Sequence, residues 1–255
     1  MKNKNINNHI KEFYEKLSQE GSYSPRSRLK IKAESFWSSV DDRLEEVSFS
    51  LNKYLKNTRN KTILDIGCGD GIYESLLERY ILDNNYFIGL DISEKQLKKA
   101  QNYFQKFVSC NIDFERLPFR DKSIDCVIFS EILEHVFHPE YVILEIARVL
   151  KKNGLLFFTC PNLSHLDVRL SMFFYGTSGH IDYEKNKEHI RFYSFKTLKK
   201  MFEDFNVVEY RGVGPLALPK IFVSWRIPLP RFIQKFFNRF IKKYSAGTFI
   251  IFRKI

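Results

Sequence analysis

Three glycines follow an acidic residue at the end of one apolar segment, a pattern that can hold a small ligand. The segment ILDIGCGDG at 63–71 reaches Asp65 and then has a glycine at every second position. Glycine allows positive φ angles and a close approach of the backbone to a ligand, and the helix expected after it offers free N–H groups to an anion. A dinucleotide loop of the form G-x-G-x-x-G would need its third glycine where this chain has Ile72. The dinucleotide interpretation is therefore weakened.

Two further acidic residues stand where the next apolar segments end. Asp91 closes YFIGLD, and Asp113 precedes Phe114 in NIDFERLPF, shortly after the third segment. The carboxyl ends of parallel strands lie at one edge of a sheet, where ligands bind, so these acids are expected near the glycine loop. A carboxylate at the tip of the second strand can accept both hydroxyls of a ribose. Asp113 and Phe114 are placed to contact the edge of an adenine.

A cluster of acids and histidines follows the fourth apolar segment, in SEILEHVFHP at 130–139. Glu131, Glu134 and His135 are spaced so that a helical turn would project them from one face. With His189 as a fourth ligand, they could bind a divalent cation. Without a metal, Glu131, His135 or His189 could remove a proton from an acceptor. The structural alternative is that Glu134 caps a helix and His135 hydrogen-bonds the loop.

Short apolar strands alternate with amphipathic helices from Lys61 onward. Strands are predicted at Thr62–Ile66, Tyr86–Asp91, Lys106–Cys110, Ile124–Ser130, Leu155–Cys160, Asn206–Gly212 and Thr248–Arg253. Helices are predicted near 71–80, 93–104, 139–151 and 194–204. Alternation at this pace implies right-handed crossovers and a parallel sheet.

Two other regions border this alternation. Residues 1–58 carry apolar side chains at three- and four-residue spacing and are expected to form an N-terminal helical extension. The loop at 162–189 is long and mixes aromatic with polar residues, as lids and substrate walls commonly do. We expect acceptor contacts to come from His165, Tyr175, His180 and Arg191.

Positive charge is concentrated in the C-terminal part of the chain. The net charge is +11, and the stretch from Arg211 to Ile255 has ten Lys or Arg residues and no acid. Within the insertion at 215–245, the segment 229–244 repeats pairs of Phe and Ile four residues apart among basic residues. Such a helix can lie on an anionic membrane surface, or it can pack on the core or form a dimer contact. Nucleic acid is the less favoured partner, because no RNA-binding motif is present.

The composition excludes several classes of protein. Hydrophobic residues make up 44% of the chain, which is typical of a globular domain and not of a disordered one. No apolar run is long enough to cross a bilayer, and the first residues do not resemble a signal peptide, so we expect a cytoplasmic protein. The four cysteines lie far apart without a C-x-x-C pair, which argues against disulfides and a zinc knuckle.

The glycine loop, the two strand-end acids and the SEILEHVFHP segment together resemble the class I S-adenosylmethionine-dependent methyltransferase family. The resemblance covers about residues 60–162, and 189–210 is similar to the branch that includes quinone-precursor O-methyltransferases. It implies an α/β, Rossmann-like, doubly wound sheet of seven strands with the last strand antiparallel. Residues 59–255 are then the methyltransferase domain.

The resemblance also implies roles for individual residues. Contacts to S-adenosylmethionine would come from Asp65, Gly67, Cys68, Gly69, Asp91, Ile92, Asp113, Phe114 and Ser130. Asp65 and the glycines would flank the methionine moiety, Asp91 would hold the ribose, and Ile92 would pack on the adenine. Ser130 and Glu131 would lie near the sulfonium and the acceptor. The Glu-x-x-Glu-His pattern is similar to the metal site of certain quinone-pathway O-methyltransferases and of small-RNA 2′-O-methyltransferases, although a metal is the less favoured interpretation.

Three functions follow as hypotheses. The leading one is O-methyl transfer from S-adenosylmethionine to a small-molecule, lipid-associated or saccharide acceptor, with peripheral membrane association suiting a lipid-linked acceptor. The alternatives are an RNA 2′-O-methyltransferase and an inactive scaffold that only binds the cofactor.

Overall fold

A seven-stranded mixed β-sheet forms the centre of the molecule. The computed structural model describes residues 11–12, 15–16, 39–177, 188–214, 217–218, 227–228, 236 and 238–255. The strands of the sheet are β1 (Thr62–Ile66), β2 (Tyr86–Asp91), β3 (Lys106–Ser109), β4 (Ile124–Ser130), β5 (Leu150–Pro161), β6 (Phe205–Val213) and β9 (Gly247–Lys254). Two short strands, β7 (Ala217–Leu218) and β8 (Ile227–Pro228), pair separately.

The strand order defines where a ligand can bind. It is β3-β2-β1-β4-β5-β9-β6, and β9 alone runs opposite to the other six strands of this sheet. The predicted Rossmann-like α/β fold with an antiparallel last strand is therefore confirmed. The chain proceeds outward from β1 to β3 and then returns to β4 on the other side of β1. The carboxyl ends of β1 and β4 flank this switch point, where open α/β sheets bind ligands.

Helices cover both faces of the sheet, with an apolar core on each side. The described helices are α1 (Ser39–Leu55), α2 (Arg79–Asn84), α3 (Glu94–Lys99), α4 (Pro139–Val149), α5 (Leu166–Tyr175) and α6 (Phe195–Met201). Apolar residues of α1, α2 and α3 pack with Ile128 of β4, and those of α4 and α6 pack with the adjacent Phe129. Neighbouring strand residues point to opposite faces, and β4 is buried on both, so its sequence is almost continuously apolar.

The predicted helix at 71–80 is wrong in its bounds. A turn follows Gly71, residues Glu74–Leu76 form a 3-10 helix, and α2 begins only at Arg79. Leu77 and Glu78 have ψ angles of 148° and 135°, which are extended and end the helical turn. Gly71 itself has a φ of 75°, outside the right-handed helical region. The glycine loop is thus followed by a tight turn instead of a long helix.

Two other bounds differ from the sequence interpretation. β5 begins at Leu150, directly after α4 ends, although the predicted helix ran to 151 and the strand began at Leu155. Leu150 pairs with Ile124 of β4, and the register shifts before the next pair, Cys126 with Leu155. The strand therefore starts on the N-terminal side of Asn153-Gly154, which the sequence predicts to form a turn ahead of it. Within the loop predicted at 162–189, residues Leu166–Tyr175 form α5, and residues 178–187 lie outside the described part of the chain.

The two flanking regions are described in part. In the N-terminal extension, α1 and residues 11–12 and 15–16 are helical, and the remainder lies outside the described residues. In the insertion at 215–245, Phe236 and residues 238–240 are helical and Lys242–Tyr244 form a 3-10 helix, while half of the helix predicted at 229–244 lies outside the described residues. Among the helices that the structure describes, none combines the length and apolar character needed to cross a membrane.

Candidate active site

The glycine turn after β1 is bonded to the end of β2. The N–H groups of Gly67 and Cys68 donate to the carbonyl of Leu90 at 2.7 and 3.0 Å, and that of Gly69 donates to Asp91 Oδ2 at 2.9 Å. Gly67 has a φ of 73°, and a Cβ there would lie 2.2 Å from Ile132 Cδ1. Gly69 has a φ of 53° and would direct a Cβ into open space. The turn therefore needs glycine for its conformation and, at Gly67, for its closeness to Ile132.

Asp91 lies at the carboxyl end of β2 with its carboxylate almost fully buried. Besides the bond from Gly69, its Oδ1 accepts from the N–H of Ser93 at 2.8 Å. Burial raises the pKa of Asp91 to about 6, and the two backbone donors oppose that rise. Each carboxylate oxygen has a second lone pair, so the group can accept two further hydroxyl donors.

A crevice opens beside the glycine turn. Its lining includes Gly67, Asp91, Ile92, Asp113, Ile132 and His135. The isoleucines offer apolar surface for a flat ring, and the two acids offer carboxylate acceptors for hydroxyl and amino donors, as an adenosine requires. The residues present therefore fit the nucleoside part of S-adenosylmethionine.

Asp113 lines the crevice, but Phe114 does not. Asp113 Oδ1 accepts from the backbone N–H of His138 at 2.9 Å, and burial raises the pKa of Asp113. The N–H of Phe114 donates to the carbonyl of Asn111 at 3.1 Å and closes a turn, and its ring packs edge-on against His138. The turn uses the N–H of Phe114, and the expected contact of the Phe114 backbone with the adenine edge stays a prediction. Asn111 lines the crevice.

Asp65 pairs with a second buried carboxyl group. Asp65 is 3% exposed and Glu74, in the 3-10 helix after the glycine turn, is fully buried. Burial, the charges of Glu74 and Asp91, and a side-chain hydrogen bond with Glu74 raise the pKa of Asp65 well above its ordinary value. Two carboxyl groups in such contact share a proton. This acid pair lies beneath the glycine turn, next to the expected methionine end of the cofactor, and Cys68 beside it is buried.

A chain of hydrogen bonds crosses the carboxyl ends of β4 and β5. Ser130 Oγ lies 2.5 Å from Tyr73 Oη and 2.6 Å from Thr159 Oγ1. Thr159 donates to Glu131 Oε1 at 3.0 Å, and the second oxygen of Glu131 forms an ion pair with Arg43 of α1. Glu131 is held by α1 and β5 on opposite sides.

The spacing predicts that Glu131 shares one helical face with Glu134 and His135. In the structure it does not share that face. Its φ of 57° lies in the left-handed region, and the 3-10 helix begins only at Leu133. A reversed φ breaks the helical spacing and turns Glu131 toward Arg43. Left-handed residues other than glycine cost free energy, of order 1–3 kcal/mol, and concentrate at functional sites.

Glu134, His135 and His189 do come together. Each offers one ligand atom, and these atoms lie within 4.8 Å of one another. Glu134 is 1% exposed, neither of its carboxylate oxygens has a hydrogen-bond partner among the described residues, and burial raises its pKa to about 7. His135 Nδ1 lies 2.8 Å from the carbonyl of Glu188, and its Nε2 lies 3.9 Å from Glu134 Oε1.

The segment at 188–191 brings His189 to this cluster. The N–H groups of Ile190 and Arg191 both donate to the carbonyl of Glu134, at 3.0 and 3.1 Å. The guanidinium of Arg191 donates to the carbonyls of Val136 and Phe137. Arg191 thus holds the loop that carries His135, and its expected contact with the acceptor stays a prediction. Of the other predicted contacts, His165 is buried, Tyr175 is exposed, and His180 lies outside the described residues.

Several residues of the site carry no signal in the sequence. Arg43 belongs to the N-terminal extension, and Tyr73 and Thr159 belong to no motif, yet all three join the network around Glu131. Apolar periodicity predicts which face of α1 is buried, but not which of its basic side chains reaches a strand end. Ile132, by contrast, lies inside the SEILEHVFHP segment and could have been proposed from its position.

Comparison with known proteins agrees with this geometry. Residues 64–158 match the family described as "Methyltransferase domain". The chain is 30% identical over 267 residues to an uncharacterized protein of Methanocaldococcus jannaschii, covering 96% of this chain and 91% of the relative. It is also 30% identical over 118 residues to the ubiquinone biosynthesis O-methyltransferase of Nitrosomonas europaea, covering 44% of this chain and 48% of the relative, so that alignment spans about half of each protein.

Among solved structures, a SAM-dependent methyltransferase from Archaeoglobus fulgidus has the same fold. The TM-score is 0.55 at 21% identity, covering 83% of this chain and 94% of that one. The chain belongs to the class I S-adenosylmethionine-dependent methyltransferases. S-adenosylmethionine is its cofactor, as the sequence predicts.

Proposed function

We propose that this methyltransferase transfers the methyl group to a hydroxyl of a lipid-associated or saccharide acceptor. The observation that carries the O-directed assignment is the cluster of Glu134, His135 and His189 at the rim of the crevice. A hydroxyl acceptor must lose its proton, whereas methyl transfer to a neutral amine can proceed without a base at the moment of attack. The partial similarity to ubiquinone biosynthesis O-methyltransferases supports the same assignment.

The cofactor would lie along the line from the acid pair to Asp113. Asp91 would accept the ribose hydroxyls, Ile92 and Ile132 would enclose the adenine, and Asp113 would accept from its amino group. The buried pair of Asp65 and Glu74 carries negative charge close to the glycine turn. This charge would attract the ammonium group of the methionine moiety. Ser130 would then lie near the sulfonium, held in place by Tyr73 and Thr159.

His135 is the best placed base. Its Nδ1 is close enough to the carbonyl of Glu188 to donate to it, which fixes the tautomer and leaves Nε2 as an acceptor. The carboxylate of Glu134 would stabilise the imidazolium that forms. His189 stands against the same ring, with centroids 4.9 Å apart. Glu131, which is paired with Arg43, would orient this rim instead of accepting the proton.

The alternative to His135 as the base is a divalent cation bound by Glu134, His135 and His189. The structure brings together three of the four ligands expected from the sequence, and Glu131 is the one excluded. The buried carboxylate of Glu134, which accepts no hydrogen bond among the described residues, fits a metal ligand. A bound cation would lower the pKa of the acceptor hydroxyl.

The test of function uses radiolabelled S-adenosylmethionine with separated lipid, glycan and RNA fractions of cells. Label in the lipid or glycan fraction supports the proposal. Label in RNA alone would establish the alternative of RNA 2′-O-methylation. The ten basic residues after Tyr210 support this alternative. Absence of any labelled product and of S-adenosylhomocysteine would indicate a scaffold.

The test of the rim compares Glu134→Gln and His135→Gln with Glu140→Gln, an exposed glutamate of α4. The first two should lower turnover about 10²-fold or more while cofactor binding persists, and the third should not. Treatment with EDTA then distinguishes a general base from a bound metal. Turnover that is lost in EDTA and restored by Mg²⁺ or Mn²⁺ establishes the cation, and unchanged turnover rules the cation out.

A further inference from the structure

The last turn of α5 exposes four consecutive apolar side chains. Met172 is 44% exposed, Phe173 82%, Phe174 52% and Tyr175 57%. Consecutive helical residues are about 100° apart, so these side chains point to most sides of the helix axis. Packing of one face against the sheet therefore cannot account for all four. The helix ends at Gly176, which is in the left-handed conformation and caps the turn.

A second aromatic pair lies on a neighbouring element. Phe236 and Phe240 are 59% and 65% exposed, with ring centroids 4.6 Å apart. The guanidinium of Arg169 in α5 lies 5.3 Å from the ring centroid of Tyr244, so α5 contacts the 3-10 helix that follows Phe240 closely in the chain. Phe173 lies one helical turn beyond Arg169, on the same side of α5. We call Met172, Phe173, Phe174, Tyr175, Phe236 and Phe240 the aromatic patch.

Basic side chains border the aromatic patch. Arg169, Arg239 and Lys243 are exposed on the same two elements. Asp167, the acid of α5, is buried at 3% exposure. The chain from Arg211 to Ile255 carries ten basic residues and no acid, whereas the 31 basic and 30 acidic residues before it nearly cancel. The surroundings of the patch are therefore cationic, and the rest of the chain is not.

We propose that the aromatic patch docks on an anionic lipid bilayer. Aromatic rings enter the boundary between headgroups and acyl chains, and Lys and Arg around them attract anionic lipid. A second copy of this chain is a poor occupant, because a two-fold interface places the same surface on both partners and would bring the basic borders together. This docking is independent of the chemistry that we propose for the active site.

The aromatic patch lies at the same edge of the sheet as the crevice, so docking on a bilayer would affect how an acceptor reaches the crevice. α5 begins shortly after the carboxyl end of β5, and Asn162 binds the carbonyls of Lys243 and Ser245 at 3.0 and 2.8 Å. Both parts of the patch are thus anchored at the edge of the sheet that carries the crevice. A bilayer on the patch would lie near the opening through which an acceptor enters.

Sedimentation with vesicles tests the proposal on the full-length protein. Vesicles of phosphatidylcholine alone are compared with vesicles that also contain phosphatidylglycerol. We expect binding to the anionic vesicles only. The double variant Phe173→Ser and Phe174→Ser should lower the partition coefficient about tenfold or more, because two aromatic side chains no longer enter the bilayer. Phe49 of α1 is 61% exposed, between Phe174 and Phe173, and Phe49→Ser should leave the partition coefficient unchanged.

Several results would overturn the proposal. They are equal binding to both kinds of vesicle, no binding to either, or the same loss in Phe49→Ser as in the patch variant. Retained cofactor binding in every variant shows that the fold is intact. A concentration-dependent dimer that the patch variant abolishes would identify a self-association surface instead. Salt-sensitive RNA binding lost in that variant, without vesicle binding, would assign the patch to nucleic acid.

Discussion

At the scale of single residues, the site depends on groups whose ionisation and backbone conformation are both unusual. Asp91 is buried at the end of β2 with a pKa of about 6, and it is the acid best placed for the ribose of the cofactor. Gly67 combines a φ of 73° with contact to Ile132. Each feature leads to a measurement on cofactor binding that does not require the acceptor to be known.

The affinity for S-adenosylmethionine should depend on pH through Asp91. Ribose hydroxyls donate to the ionised carboxylate, so binding lowers a pKa that is about 6 in the free protein. Affinity is therefore full above this pKa and falls as the pH decreases through it, by up to about tenfold per unit. Calorimetric titration between mild acid and mild base measures the slope. Asp91→Asn should bind weakly with little dependence on pH in this range, and an unchanged slope in that variant would contradict the assignment.

Gly67→Ala should damage the cofactor site more than its backbone conformation alone requires. The left-handed φ costs about 1–2 kcal/mol for alanine, and the new methyl would collide with Ile132, which lines the crevice. Gly176→Ala is the matched control, because its φ of 69° is similar and a Cβ there meets nothing within 4 Å. Urea unfolding should show a loss of stability in both variants, and calorimetry should show lost cofactor affinity only in Gly67→Ala. Equal cofactor affinities would contradict the role of the Ile132 contact.

At the scale of secondary-structure elements, α1 is more than a cover for the sheet. Its apolar face packs with Ile63, Ile128 and Phe157, and Arg43 extends from it to Glu131 beyond the end of β4. The N-terminal extension thereby holds Glu131, a residue beside the crevice that we propose as the active site. A double-mutant cycle can measure this link.

Arg43→Met should lower the free energy of unfolding by about 1–3 kcal/mol, because it leaves the partly buried carboxylate of Glu131 without its cation. Glu131→Gln in the same chain should recover much of this loss, since the amide needs no counter-charge and can still accept from Thr159. Urea denaturation of the two single variants and the double variant gives the coupling energy. Additive effects would mean that the ion pair contributes nothing in solution.

The strands could be predicted from the sequence more closely than the helices. β1, β2 and β4 have the predicted bounds, because each is a short apolar run followed within a few residues by glycine or polar residues. The turn at 71–78 could not be predicted. The extended backbone at Leu77 and Glu78 ends it, and neither residue type signals an extended conformation in a segment with helical spacing. Asp91, Asp113 and His135 line the crevice as the motifs suggest, whereas the pairing of Arg43 with Glu131 joins residues that no local pattern relates.

At the scale of the whole molecule, charge is divided unequally along the chain. The basic residues after Tyr210 accompany the aromatic patch and leave the parts around β1 to β4 nearly neutral. Long-range attraction to an anionic surface would therefore orient the protein before contact. Orientation by charge is sensitive to salt, which gives a further measurement.

Vesicle binding should weaken steeply with salt. Between about 0.15 M and about 1 M NaCl the Debye length falls from about 8 Å to about 3 Å, which screens the basic border but leaves aromatic insertion intact. The double variant Arg239→Glu and Lys243→Glu should bind weakly at low salt and lose most of this dependence. Lys196→Glu, on α6, is the control and should behave as the unmodified protein does. Salt-independent binding of the unmodified protein would contradict an electrostatic contribution.

The position of β9 has a consequence for synthesis of the chain. β9 lies between β5 and β6 and supplies Phe249, Ile250, Ile251 and Phe252, all fully buried, to both cores. It is also made after every other strand of the sheet. On the ribosome, the nascent protein must therefore wait with the edge of β5 open, exposing unpaired backbone groups that invite aggregation. Both cores are therefore expected to be completed only when these residues become available for pairing.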